Sequence, residues 1–229
     1  MSRVFSEQEL VRRESLQKLV DLGIDPYPAH LFEVDAFSTS IKSSHDGDSS
    51  EEKKVKIAGR LMSRRIMGKA AFAELQDSKG RIQLYFNRDE ICPEEDKTMY
   101  NTVFKKLLDI GDFIGVEGYV FTTKVGEISV FVEKFTVLTK TLRPLPLPKT
   151  DNEGNVYDAF TDPEKRYRQR YVDLVVNPEV KEAFIKRTKL TNSMREFLNN
   201  SGYLEVETPI LQPIYGGASA RPFKTHHNT

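Results

Sequence analysis

The chain has 229 residues, 38% apolar and 30% charged, so it is long enough to bury a core and to form one or two domains. Its 34 basic and 34 acidic residues cancel, which excludes a general attraction to polyanions and leaves nucleic-acid binding to local clusters of charge. A lone cysteine, Cys92, excludes an internal disulfide framework and is typical of a reducing compartment.

Neither a transmembrane span nor a signal peptide is expected. No window approaches about eighteen consecutive apolar residues, and the N-terminus lacks an apolar h-region. These features predict a soluble, cytoplasmic protein.

The first predicted element is a helix over residues 6–22. Ser6 with Glu9 three residues later is a capping-box pattern, and Gly23 is suited to end the helix. One apolar stripe is expected to face the core, namely Val11, Leu16, Leu19, Val20 and Leu22. The basic residues elsewhere on the helix are expected to be solvated: Arg12, Arg13 and Lys18.

Residues 38–54 contain a single large apolar side chain, Ile41. Such a polar segment cannot bury enough surface to order itself, so it predicts a mobile insertion without function. Residues 1–54 are therefore assigned to an N-terminal helix and this insertion.

A basic segment and a β-hairpin come next. Residues 53–73 contain seven basic residues and no acid. The turn at residues 77–80, in which Asp and Ser open and Gly closes, predicts a hairpin of strands 72–76 and 81–86. Alternation then places six side chains on one face, in the opposed pairs Phe72–Tyr85, Glu74–Gln83 and Gln76–Arg81.

This hairpin face has two interpretations. Rings for stacking, amide and carboxylate groups for base edges, and nearby cations are what unstacked bases require. The alternative is an ordinary solvated strand face.

The segment 55–142 predicts a five-stranded OB-fold barrel. A first strand at 55–65, with Gly59 as a bulge or bend, precedes the hairpin, and a helix at 93–108 leads to strands at 113–121 and 127–135. Five strands with a helix between the third and fourth are typical of this fold, whose second and third strands commonly bind oligonucleotides. The order favours base binding by Phe72 and Gln83.

Residues 143–178 predict a hinge. It begins with a stiff proline-rich stretch at 143–148, and a loop at 151–158 follows. The Arg- and Tyr-rich segment 166–174 is either an exposed helix between two domains or a surface for RNA backbone.

The last region, 179–229, predicts one helix and one strand. Helical periodicity covers residues 179–200, with Gly202 as its C-cap. Residues 203–208 predict a strand that Pro209 ends.

Several stretches resemble class II aminoacyl-tRNA synthetases in the lysyl-tRNA synthetase form. GYLEVETPILQPIYGGASARPFKTHHN resembles the motif 1 region, of which GGASARPF is the most specific piece. RRIMGKAAFAELQD and RIQLYF resemble the OB anticodon-binding domain, and LRPLP with RYRQRYVDL resembles the hinge. The resemblance implies a mainly β fold with helices, in which the barrel precedes the first helix and strand of an α+β catalytic domain.

The resemblance also implies residue roles. Phe72 would stack on an anticodon base, Gln83 would bond a base edge, and Glu127 would be an acidic base reader. Phosphate or base contacts would come from Arg60 and Arg64. In the motif 1 region, the residues concerned would be Gly217 beside the bound lysine and Gly202 and Pro209 in a dimer-forming element.

The implied parent reaction uses ATP and Mg²⁺ to form lysyl-adenylate and then transfers lysine to tRNA(Lys), in a homodimer. The family's motifs 2 and 3, and the acidic residues that hold Mg²⁺, would lie beyond Thr229. Residues 1–229 alone are therefore expected to bind tRNA, to hold no ATP or Mg²⁺ and to lack catalysis.

Two rival interpretations remain. One is a stand-alone OB module for single-stranded nucleic acid, and the other is a fragment whose exposed motif 1 face drives association. A metal site at His226 and His227 is rejected, because no third ligand stands at a suitable spacing.

Overall fold

The computed structural model divides the chain into two compact units, Met1–Ala159 and Phe160–Thr229. The structure describes residues 4–45, 53–151, 153–157, 159–211, 221, 223 and 225. No helix in these ranges combines the length and apolar character that crossing a bilayer requires.

The N-terminal helix α1 spans Glu7–Asp21 and confirms the predicted caps. The amide of Glu9 donates to Ser6 Oγ at 3.3 Å, and the amide of Ser6 donates to Glu9 Oε2 at 3.0 Å. Gly23, with φ of 74°, follows the end of the helix.

The buried face of α1 differs from the predicted stripe. Val11 and Leu22 are about half exposed, whereas the buried residues are Glu9, Arg12, Ser15 and Leu19. Arg12 is not solvated, because its guanidinium donates to the carbonyl oxygens of Ile110 at 2.9 Å and Thr141 at 3.1 Å. Arg12 is thus buried because backbone carbonyl oxygens accept hydrogen bonds from its guanidinium.

Residues 38–54 also require a correction. Ser38–Ser44 form a short helix, α2, and Ile41 joins the hydrophobic core with 1% of its surface exposed. One apolar anchor and hydrogen bonds to the barrel are therefore enough to order this part of the insertion. Residues 46–52 lie outside the described ranges.

Five strands form a closed barrel in the order β1-β2-β3-β5-β4. They are β1 (Lys54–Met67), β2 (Ala70–Gln76), β3 (Arg81–Asn87), β4 (Phe113–Thr122) and β5 (Ile128–Thr139). The β3–β5 pair is parallel and the other pairs are antiparallel. This confirms the predicted OB-fold.

The β2–β3 hairpin has the predicted register, with Phe72 opposite Tyr85, Glu74 opposite Gln83 and Gln76 opposite Arg81. The intervening side chains are buried inside the barrel: Ala73, Leu75, Ile82, Leu84 and Phe86. The six paired residues therefore share the outer face.

The connection from β3 to β4 is less regular than predicted. A short helix α3 (Arg88–Ile91) precedes a π-helix, Met99–Leu107, in place of one α-helix over 93–108. The buried side chains of residues 99–108 are Tyr100, Val103, Phe104, Leu107 and Leu108.

Strand β1 carries a bulge at Met62 instead of Gly59. Leu61 pairs with Leu75 and Ser63 with Glu74, so Met62 has no opposite residue. At Gly59 a Cβ would lie 2.5 Å from the Gln76 carbonyl oxygen, so glycine here permits the close approach of β2. The bulge reverses the alternation of every later residue in β1.

The predicted loop at 151–158 contains part of a small hairpin, β6 (Lys149–Thr150) with β7 (Val156–Tyr157). In the second unit, α4 (Pro163–Arg168), α5 (Arg170–Val176) and α6 (Pro178–Asn200) follow one another.

Helix α6 confirms the predicted helix, and the amide of Gly202 donates to the Asn199 carbonyl at 3.0 Å. The predicted strand at 203–208 is wrong, since these residues have no regular secondary structure. A strand needs a neighbour for its hydrogen bonds, and no described segment pairs with this one.

Candidate nucleic-acid interface

A cleft of about 390 Å³ lies on the outer face of the barrel. Its residues come from α2, β1, β2, β3 and the turn before β5: Lys42, Ser63, Arg65, Phe72, Ala73, Glu74, Arg81, Ile82, Gln83 and Glu127. Three residues with predicted base-binding roles, Phe72, Gln83 and Glu127, therefore meet in one place.

Phe72 and Gln83 lie on neighbouring strands, both on the outer face and both half-buried. The ring of Phe72 packs against Tyr85, with centroids 5.1 Å apart and planes tilted by 52°. This neighbour fixes the ring while part of its surface stays accessible for stacking.

The Gln83 amide is oriented by the adjacent strand. Its Nε2 donates to Ser129 Oγ at 3.0 Å, and that hydroxyl donates to the carbonyl oxygen of Glu127 at 3.3 Å. A glutamine amide offers two donors and one acceptor oxygen, so the remaining groups can bond a base edge.

Glu127 lies in the turn between β4 and β5. Its amide donates to Thr123 Oγ1 at 3.0 Å, and Gly126 completes the turn with φ of 86°. The carboxylate of Glu127 forms an ion pair with Lys42 at 3.3 Å, and both side chains are nearly half exposed. The turn fixes the backbone, and α2 supplies the counterion.

Two arginines of the cleft were not predicted as site residues. Arg65 pairs with Phe72 across the strands, and its Cζ lies 5.8 Å from the centre of that ring. Arg81 forms an ion pair with Glu74 at 3.0 Å. The dense basic segment was a signal for Arg65, but only the bulge at Met62 selects it over its neighbour.

Arg60 and Arg64 do not line the cleft. Arg60 Nη1 donates to the Gly111 carbonyl at 2.8 Å, and its guanidinium lies over the Phe113 ring at 4.3 Å. Arg64 Nη1 donates to the Phe104 carbonyl. Burial lowers the pKa of both guanidinium groups, and the nearby Asp112 carboxylate partly opposes this shift.

The motif 1 residues are only partly described. Gly202, with φ of 88°, follows the end of α6, and Pro209 stands in the exposed segment after it. Gly217, His226 and His227 lie outside the described residues. Within the described residues, no group of three or more His, Cys, Asp or Glu side chains could hold a metal ion.

The cleft combines a ring, an amide, two carboxylates and three cations in a space that can admit a base. Stacking on such a ring contributes about 1–3 kcal/mol per base, and amide and carboxylate groups read base edges by hydrogen bonds. The geometry therefore suits an unpaired nucleotide.

Two family models match the chain. Residues 55–138 match the OB-fold nucleic acid binding domain, and residues 162–229 match tRNA synthetases class II (D, K and N). The first match coincides with the barrel that carries the cleft.

Similar curated proteins carry the name lysine–tRNA ligase. Identity is 66% over 223 residues with the protein from Christiangramia forsetii, 64% over 224 residues with that from Porphyromonas gingivalis strain W83, and 59% over 223 residues with that from Azobacteroides pseudotrichonymphae. Each alignment covers 97% of this chain but only 38%, 39% and 44% of the respective relative. The chain thus spans about two-fifths of the length of the relatives that it matches.

Proposed function

We propose, from its similarity to these relatives, that the chain belongs to the class II lysyl-tRNA synthetase family and that its barrel binds the anticodon of tRNA(Lys). Phe72 stacks on an anticodon base, Gln83 bonds a base edge, and Glu127 accepts from a base N–H. Arg65 lies over the Phe72 ring and contributes a cation beside the stacked base.

The observation that supports this proposal is the convergence of Phe72, Gln83 and Glu127 in one cleft. The hairpin and the turn before β5 are separate in sequence, and the β3–β5 pairing brings them together. A solvated strand face would not require an acidic side chain from a third segment at the same place.

We assign the parent reaction by the same kinship. A lysine–tRNA ligase would activate lysine with ATP and Mg²⁺ and transfer it to tRNA, in a homodimer with Gly202 and Pro209 in its interface and Gly217 beside the lysine. Residues 1–229 by themselves bind tRNA without activating lysine. An ATP–pyrophosphate exchange assay with lysine should show no activity for these residues, and measurable exchange would contradict that assignment.

The binding proposal is tested with two hairpin RNAs that share one stem, one with a UUU anticodon loop and one with a scrambled loop. The chain should prefer the UUU hairpin by about tenfold or more, because base contacts and stacking add to the electrostatic term. Raising the salt concentration should weaken binding of both hairpins through counterion release. Equal affinities would favour the rival, an OB module that binds single strands without reading them.

A further inference from the structure

Helix α2 is fixed to the turn that joins the two base-reading strands. The amide and hydroxyl of Ser38 donate to the two carboxylate oxygens of Asp77, at 2.6 and 2.9 Å. Asp77 also accepts from the amides of Lys79 and Gly80, at 2.7 and 2.8 Å. One carboxylate therefore ties α2 and the β2–β3 turn together.

The opposite side of α2 is held by the core. Ile41 is 99% buried within the cluster that fills the barrel, so α2 has an apolar anchor as well as a polar one. Lys42 is the next residue, and it lines the cleft. The position of Lys42 is thus set by two independent contacts of its helix.

Lys42 contacts the one acid that faces it across the cleft. Its Nζ lies 3.3 Å from Oε1 of Glu127. The other acid of the cleft, Glu74, is paired with Arg81 at 3.0 Å. The ion pair with Lys42 therefore engages Oε1 of Glu127. It fixes the orientation of the carboxylate, so the second oxygen, Oε2, points in a defined direction.

We propose that Lys42 is a positioning residue, which holds the Glu127 carboxylate in the direction that a base N–H requires and so contributes to selection of the anticodon. This inference rests on the proposed anticodon function. A carboxylate that rotates freely must lose that freedom on binding, whereas one already held by an ammonium group does not. Selectivity between loops is therefore the property that depends on Lys42.

The test compares Lys42→Met with Lys54→Met. Lys54 forms a similar ion pair with Glu133 at 3.4 Å, also on the barrel, and neither residue of that pair lines the cleft. Affinities of the UUU and scrambled hairpins are measured for each variant. Lys42→Met should lower the preference for UUU by about three- to tenfold, the value of one hydrogen bond, whereas Lys54→Met should leave the preference unchanged.

A double-mutant cycle shows whether Lys42 acts through its partner. In the Glu127→Gln background, Lys42→Met should cause no further loss of preference, because the carboxylate that it positions is absent. Lys42→Arg should restore part of the preference, since a cation again faces Glu127.

A third variant leaves the charge of Lys42 intact. Ser38→Ala removes the hydroxyl bond to Asp77 and should lower the preference for UUU in the same direction. Circular dichroism melts confirm that each variant is folded.

Two outcomes would overturn the role proposed for Lys42 without affecting the proposed anticodon function. One is an unchanged preference in Lys42→Met while the unmodified chain prefers UUU. The other is equal weakening for both hairpins with a salt slope reduced by about 0.7, which would make Lys42 a phosphate contact. If the unmodified chain binds both hairpins equally, the anticodon function itself fails.

Discussion

The barrel carries two groups of charged side chains that differ in burial and in partners. The cleft group comprises Lys42, Arg65, Glu74, Arg81 and Glu127. A second group, here termed the inner cluster, surrounds the turn before β4 and the end of β5: Arg12, Arg60, Arg64, Asp109, Asp112 and Lys140. Both groups include arginines from the same basic strand.

The inner cluster is closed to solvent at its centre. Lys140 and Asp112 are fully buried and lie 2.8 Å apart, with Asp109 at 2.5 Å from the same ammonium group. Asp112 also accepts from the amides of Asp109 and Thr141, each at 2.7 Å. Lys140 and Asp112 therefore each have several partners.

The cleft pairs are exposed and each has one charged partner. The side chains of Arg81 and Glu74 are 42% and 37% exposed, close to the values for the Lys42–Glu127 pair. Exposed pairs contribute about 0–1 kcal/mol, whereas breaking a buried pair costs about 3–5 kcal/mol. Cations with a structural role thus donate to backbone carbonyls and buried acids, whereas the cations at the proposed RNA site face other side chains across an open cleft.

The largest effect is expected from Lys140→Met. It leaves Asp112 buried without its counterion, so the free energy of unfolding should fall by about 3–5 kcal/mol in urea denaturation. Lys134→Met is the control, because Lys134 is 72% exposed and lies 4.0 Å from Glu117, and its loss should cost no more than about 1 kcal/mol. Equal effects of the two substitutions would remove the distinction between the groups.

Phe72→Ala should separate binding from stability. Losing the stacking ring should weaken binding of the UUU hairpin by about 1–3 kcal/mol in a fluorescence titration. Phe121→Ala is the control, since this ring also faces outward and contacts Tyr85, at 6.0 Å, but does not line the cleft. A similar loss of affinity in both variants would mean that the rings act through the fold rather than through a base.

Much of the candidate site could be predicted from the sequence because the hairpin is local. A turn of four residues with defined chemistry sets the register, and alternation then assigns Phe72 and Gln83 to one face. Glu127 was added to the predicted site only by the family resemblance, and in the structure it lines the same cleft. Barrel topology followed from the order of elements alone.

The remaining features depend on contacts between distant segments. The bulge at Met62 was not predicted, and it turns Arg65 rather than Arg64 towards Phe72. Arg12 was predicted to be solvated and Lys42 was not predicted as a site residue, because their partners, the Ile110 carbonyl and Glu127, are about 100 and 85 residues away. The polar composition of residues 38–54 predicted a mobile segment. The burial of one isoleucine, Ile41, is what orders α2 within it.

A buried carboxylate in the second unit extends the comparison to pH. Burial tends to raise the pKa of Asp173, but hydrogen bonds from Asn177 and Arg166 and the charge of Arg170 outweigh it and lower the pKa. A lowered pKa in the folded state stabilises α5 above the ordinary value of 3.8, and this stabilisation is lost as the pH falls through the lowered pKa.

Hydrogen exchange of residues 163–177 should therefore be about tenfold faster in Asp173→Asn than in the unmodified chain at pH 7. The difference, corrected for intrinsic exchange rates, should shrink below pH 3.8. If the difference does not change with pH, the faster exchange comes from packing that the amide side chain disturbs and not from the lost charge of Asp173.

The smallest and sharpest comparison is between two neighbours, Arg64 and Arg65. Arg64→Met removes the donor to the Phe104 carbonyl, so it should lower the free energy of unfolding by about 1 kcal/mol and leave RNA affinity per folded molecule unchanged.

Arg65→Met should do the reverse, with stability altered by less than about 0.5 kcal/mol and affinity for the UUU hairpin lowered about three- to tenfold. Because both substitutions remove one positive charge from adjacent positions of one strand, the general electrostatic change is matched. Weaker RNA binding by Arg64→Met at unchanged stability would restore Arg64 as an RNA contact and would show that half-buried cations with backbone partners can still serve binding.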